Sequence, residues 1–307
     1  MSTPTGPASG LPVRMPRPRQ PGRHRRPEPL AAPEGAPALV LAVPGAPGPA
    51  TRGLADEVVS IARSELPGLD ARIGYLEGDD AEFPTLQSVL VHASEQRTAR
   101  YEQARAAGAD VRAPEGPVAV VVPLLAGPDS ALLRRLRQAV MDSKIAAELT
   151  DVLGPHPLLA EGLHVRLSEA GLARADRARL FTVATAADGI ILASVGGDEA
   201  VQAAGITGML LAARLAVPVM AAALDQEGAI ARTAEQLRSS GSQNLALAPY
   251  LIGPELDDGL LEAAAREAGC AAAEALGAYP AIGKLALSKY TTSLGIAPPQ
   301  QTGAPVR

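Results

Sequence analysis

The sequence predicts an α/β protein built from two similar domains, each a parallel sheet flanked by helices. Three observations carry that prediction. Short β-rich runs alternate with segments of helical periodicity from Ala38 onward, the pattern of βαβ units covered on both faces. A Pro-x-Leu-x-Gly-Pro frame occurs twice, at a constant offset of 126. The chain has 307 residues, 47% of them hydrophobic, enough to bury two ordinary cores.

In chain order, the strand candidates are 38–43, 71–76, 118–125, 145–149, 189–194, 217–222, 244–251 and 270–275. Between them lie helical segments such as SALLRRLRQAVM, in which Leu132, Leu133, Leu136 and Val140 form one stripe. The repeated frame matches VVPLLAGP to LAPYLIGP through Pro123/Pro249, Leu125/Leu251, Gly127/Gly253 and Pro128/Pro254. Farther on, VLGPHPLLA matches ALGAYPAIG through Leu153/Leu276, Gly154/Gly277 and Pro157/Pro280. Two matched pairs in the same order argue for duplication, with domains at 38–175 and 176–307. Residues 79–115 are longer than their counterpart and read as a charged helical insertion.

Residues 1–37 are a different object. They hold ten of the 28 prolines and six arginines (Arg14, Arg17, Arg19, Arg23, Arg25, Arg26) against Glu28 and Glu34. That is a formal +4 against −5 for the whole chain, which leaves −9 on the rest. Such a basic, apolar-poor stretch is expected to be a disordered tail, solubilising in the first place and otherwise able to meet nucleic acid or an acidic partner. No window reaches the roughly 18 apolar residues of a membrane span, and the run Leu39–Val43 is too short for a secretory segment, so a cytoplasmic location without membrane association is expected. The single Cys270 excludes an internal disulfide and multi-cysteine metal sites. With no Trp and two Phe, stacking platforms for single-stranded nucleic acid are nearly absent, and no specific nucleic-acid binding is expected.

The strand ending in a Gly turn (Leu39–Gly45), the strand closing on YLEG (Tyr75–Gly78), VVPLLAGP and LGPHPLLAEGL follow one another as in a known family. From Ala38 to Leu294 the chain resembles the sirohydrochlorin chelatases in their two-domain form, the class II enzymes that insert cobalt or iron into sirohydrochlorin for cobalamin or sirohaem. The resemblance implies two similar α/β domains facing each other across a cleft that receives a carboxylated tetrapyrrole, with Co²⁺ or Fe²⁺ as substrate metal and no certain resident cofactor. It also implies an acidic residue at the end of the second strand, where Glu77 stands, as catalytic group and metal ligand.

Metal insertion calls for ligands that hold a first-row ion and a base that takes the pyrrole protons, and neutral imidazole suits both. The family's first His position aligns with Pro44, which has no donor lone pair to offer. Its second falls near Ser130 or Ala131, with Asp129 the neighbouring candidate metal ligand. ASVGGDE and LIGPELDDG, in the second half, contain no histidine. Of the four histidines, His24 is in the tail, His92 in the charged segment, and His156 and His164 suit partly exposed structural roles. Cys270 reads as a small buried hydrophobe.

Acidic residues gather at or after strand ends: Glu77, Asp79, Asp80, Asp129, Asp198, Glu199, Asp225, Glu227, Glu255, Asp257 and Asp258. They suit helix capping or a hard cation. A carboxylated substrate would need cations, for which Arg52, Arg134 and Arg135 are the candidates at strand-end level. SVGGDEA is a Gly-rich turn that could cradle a phosphate or simply be a tight βα turn. The expected function is sirohydrochlorin chelatase-like metal insertion, carried by Glu77. The alternative is a catalytically inactive homologue acting as a tetrapyrrole-binding or protein-interaction module.

Overall fold

The computed structural model describes residues 31–33, 35–173, 186–253, 255 and 259–295. Among the described residues eight strands and eight helices alternate: β1 (Ala38–Val43), α1 (Pro49–Glu65), β2 (Ala71–Tyr75), α2 (Leu86–Ala106), β3 (Ala119–Pro123), α3 (Ser130–Asp142), β4 (Ala147–Leu149) and α4 (Pro157–Glu169) make the first half. β5 (Gly189–Ser194), α5 (Gly197–Leu215), β6 (Val219–Ala223), α6 (Ala229–Ser239), β7 (Leu245–Pro249), α7 (Leu260–Ala268), β8 (Ala271–Ala272) and α8 (Pro280–Ser293) make the second. The strands form two four-stranded parallel sheets ordered β2-β1-β3-β4 and β6-β5-β7-β8, so the chain is a two-domain α/β protein with one topology repeated. Every expected strand is present, although β8 pairs over two residues only. The segment 79–115 is no insertion. Its helix α2 occupies the place of α6, with 21 residues against 11.

Alternation along the central strands sorts the core into layers. Leu39, Leu41 and Val43 share one face of the first sheet with Val120 and Val122, while Val40, Ala42 and Val121 face the other side with Leu86, Leu90 and Leu136 from α2 and α3. In the second sheet Ile190, Leu192, Ala246 and Ala248 join the first group, and Ile191, Ala193 and Leu247 pack with Ile230, Ala234 and Ala264 of α6 and α7. One apolar core therefore runs from sheet to sheet through a shared middle layer of α1, α4, α5 and α8.

The helix that follows each sheet crosses to the other one. α4 packs on α5 and β7, and α8 packs on α1, β3 and β1. Polar contacts fix the exchange: Arg166 of α4 donates through Nη2 (2.9 Å) and Nε (3.2 Å) to the Leu276 carbonyl, and Lys284 of α8 lies 3.4 Å from Glu65 of α1. The expected boundary at 175 lies outside the described residues, and each sheet is completed by a helix drawn from the other side of it.

Residues 1–30 and 34, with all six tail arginines and His24, lie outside the described residues, and so does the expected acidic-partner role. The end of the expected tail is part of the fold instead. Ala32 N–H donates to Pro67 O (2.9 Å), and Tyr290 Oη, on a fully buried ring, donates to Pro37 O (2.7 Å).

Candidate functional site

The two halves meet at the C-terminal ends of their strands. Ala42 pairs with Pro123, and Ala193 pairs with Pro249, so Val43-Pro44-Gly45 and Ser194-Val195-Gly196 are equivalent turns. Gly45 (φ +77) and Gly196 (φ +115) both use the left-handed region. The sequence frames coincide in space as well: Leu153 N–H donates to Leu125 O (3.0 Å) as Leu276 N–H does to Leu251 O (2.9 Å), and Gly154 N–H to Ala126 O (3.0 Å) as Gly277 N–H to Ile252 O (2.8 Å).

These strand-end loops pack directly on one another. A methyl group on Gly196 would lie 2.6 Å from Pro128 O and 3.0 Å from Asp129 Cα, and one on Gly127 would lie 3.1 Å from Tyr250 Cε1. Tyr250 is completely buried there, its oxygen accepting from Thr207 Oγ1 (3.2 Å), and burial pushes its phenol up to about 12. What remains between the loops is a cavity of about 10 Å³, bordered among others by Asp129, Ser194, Tyr250 and Glu255. That is room for one water-sized sphere.

Asp129 and Glu255 are equivalents at the 126 offset and reach this cavity from opposite halves. Asp129 caps α3, its Oδ1 accepting from Ala131 and Leu132 N–H at 2.9 Å each. Glu255 accepts from Ile252 N–H (2.6 Å) and Gly253 N–H (2.9 Å). Burial still raises its pKa, those two amides oppose the rise, and the Asp129 carboxylate adds to it. The repeated frame was the signal that pairs these two carboxylates. In the sequence both stand among the strand-end acids, with nothing local to join them.

The other expected site residues are spread over the surface. Glu77 is joined to Arg135 by a 2.9 Å ion pair whose side chains are 40% and 51% exposed, so a catalytic candidate and a substrate candidate neutralise each other. Arg52 donates to the Glu82 carbonyl (2.7 Å), pairs with its carboxylate (3.1 Å) and stacks on the Phe83 ring at 4.5 Å. Arg134 is exposed on α3. No group of three or more His, Cys, Asp and Glu could hold a metal ion among the described residues.

Several remaining acids are held in turns ahead of helices. Asp79 accepts from Ala81, Glu82 and Phe83 N–H, and Asp80 from Thr85 N–H and Ser88 Oγ. Asp225 accepts from Gly196 (3.1 Å) and Gly197 (3.2 Å) N–H, so a carboxylate of the chain itself occupies the anion position of the Gly-rich turn and the phosphate reading fails. Asp257 and Asp258 lie outside the described residues.

His164 differs from expectation, being 4% exposed and accepting from Arg214 Nε at 2.8 Å where α4 meets α5. His156 caps α4, its Nδ1 accepting from Leu158 N–H (3.1 Å) ahead of Pro157 at the first helical position. Burial, and then Lys289, lowers its pKa below 6.5. A lowered folded value means that the unfolded chain binds the proton more readily. The contribution of the cap is therefore complete above pH 6.5 and is lost as pH falls through the folded value. His156→Asn, which caps without titrating, narrows the difference in guanidinium midpoint between pH 8 and pH 5, whereas His156→Ala costs about 1 kcal/mol at pH 8.

No family model matches the chain, and no curated protein matches it. Among solved structures it is similar to a periplasmic ribose ABC transporter from Conexibacter woesei, over 88% of this chain and 72% of that one, at 12% identity and a TM-score of 0.30. No described helix is long and apolar enough to cross a membrane.

Proposed function

We propose that this chain is a catalytically inactive relative of the sirohydrochlorin chelatases, cytoplasmic, acting through contacts with another protein. One observation carries the reading: the loops that would border a substrate cleft pack on one another and leave about 10 Å³. Small-molecule sites run to several hundred Å³. The chemistry agrees, since Pro44 stands where the resemblance calls for imidazole and Glu77 is engaged by Arg135. On α5, Ile206, Met209 and Leu210 are exposed at neighbouring helical positions, the kind of surface a protein partner covers.

The alternative, Co²⁺ or Fe²⁺ insertion into a carboxylated tetrapyrrole, requires Arg135 to leave Glu77 and the strand-end loops to part. Absorption spectra of sirohydrochlorin with Co²⁺ or Fe²⁺ separate the readings. The expected result is metallation at the uncatalysed rate and no shift in melting temperature with the macrocycle. Acceleration that Glu77→Ala removes would establish the chelatase and overturn the inactive reading.

A further inference from the structure

The strand-end cavity joins Asp129 to Glu255 and Ser194, a grouping that neither reading uses. Asp129 Oδ1 is committed to two amides, but Oδ2 has no hydrogen-bond partner among the described residues. Each Glu255 oxygen accepts a single amide. No Lys, Arg or His lies within ion-pair distance of either carboxylate among the described residues, so two acidic groups face one cavity without a counter-charge. Ser194, an independent feature, borders the same cavity at 1% exposure, and its Oγ has no partner among the described residues. A buried hydroxyl left unsatisfied is costly, and its position points to an occupant that accepts oxygen donors.

We propose that this cavity is a binding site for a hard divalent cation of the calcium type, held by Asp129 from the first half and by Glu255 and Ser194 from the second. The donors are all oxygen, which selects hard cations over cobalt or iron. Two carboxylates match a double charge. Room for one water-sized sphere requires the ion to shed most of its hydration, which Ca²⁺ tolerates in irregular geometry and Mg²⁺ resists. The bound ion replaces repulsion between Asp129 and Glu255 by attraction to a common centre and ties the two halves together. The inference is independent of the function proposed above.

The test is thermal unfolding of the full chain after chelator treatment, with CaCl₂ or MgCl₂ titrated at constant ionic strength. Ca²⁺ is expected to raise the melting temperature by several degrees in a saturating manner, with half-saturation at least tenfold below that of Mg²⁺. Glu255→Gln and Asp129→Asn are expected to lose the response. Asp129→Asn keeps the one oxygen that accepts both amides and removes the charge, so it should unfold cooperatively without Ca²⁺ and its lost response would report the site and not the fold. Glu255→Gln keeps only one of its two accepting oxygens and is read beside it. Ser194→Ala is expected to move half-saturation upward. The proposal is overturned by a wild-type protein that does not respond beyond the salt control, by an equal response to Mg²⁺, or by an undiminished response in the two carboxylate variants.

Discussion

Replacing Tyr250 by alanine is expected to lower the unfolding free energy by about 3–5 kcal/mol and the melting temperature by roughly 10 °C. The ring is completely buried and stands against Gly127 and Gly154, where an added methyl on the latter would meet the Tyr250 oxygen, Leu159 Cδ1 and Ala126 O. Its loss removes the side chain that fills the meeting point of the strand ends, and the surrounding loops are too tightly packed to collapse into the gap. Tyr250→Phe keeps the ring and loses only the Thr207 hydrogen bond, which should cost about 1 kcal/mol. Calorimetry on the two variants decides the matter. A drop of similar small size in both would mean that the junction is loosely packed, and the closed cleft would no longer argue against a macrocycle.

Gly283→Val is expected to be the next most damaging change, at about 3 kcal/mol. Gly283 lies on α8 where that helix crosses α1, and an added Cβ would stand 2.6 Å from Ile61 Cβ and 2.9 Å from the Val58 carbonyl oxygen. The second contact is with backbone, so rotamer changes cannot relieve it. Gly205→Val on α5, where no atom lies within 4 Å of the added Cβ, is expected to stay within about 0.5 kcal/mol of wild type. Equal melting temperatures for the two variants would contradict the seating of α8 on the first sheet.

The layout of strands and helices was legible because parallel strands covered on both faces are short continuous apolar runs. Ala38–Val43 and Gly189–Ser194 are such runs and are β1 and β5 with the same bounds. The frames around Pro123 and Pro249 were legible for a different reason, since each ends a central strand and sends the same carbonyls to the same later amides. The exchange of α4 and α8 left no local trace. Arg166 in one helix and Leu276 in a distant loop are 110 residues apart, and periodicity reports only that a helix has an apolar stripe, not which sheet receives it.

The site was legible only in part. Glu77, Arg52, Arg134 and Arg135 were grouped by closeness to strand ends, but a strand end fixes a height above the sheet and leaves azimuth open, so Arg135 meets Glu77 on the surface and Arg52 turns to Phe83. Tyr250 lacked any signal, because its counterpart in the repeated frame is Leu124, so the repeat does not mark the position as one that carries a ring. The closeness of Asp129 to Glu255 follows from the repeat only after the strand-end loops of the two halves are known to meet.

The crossing of the last helix onto the first sheet bears on how the molecule is made. During synthesis, β1 through β4 emerge long before Pro280–Ser293, so the face of the opening sheet that α8 covers stays wet until that helix has left the ribosome. Neither half can reach its finished state ahead of the other. Completion is one late, joint event, and a chain cut short before Pro280 leaves its earliest-made part exposed.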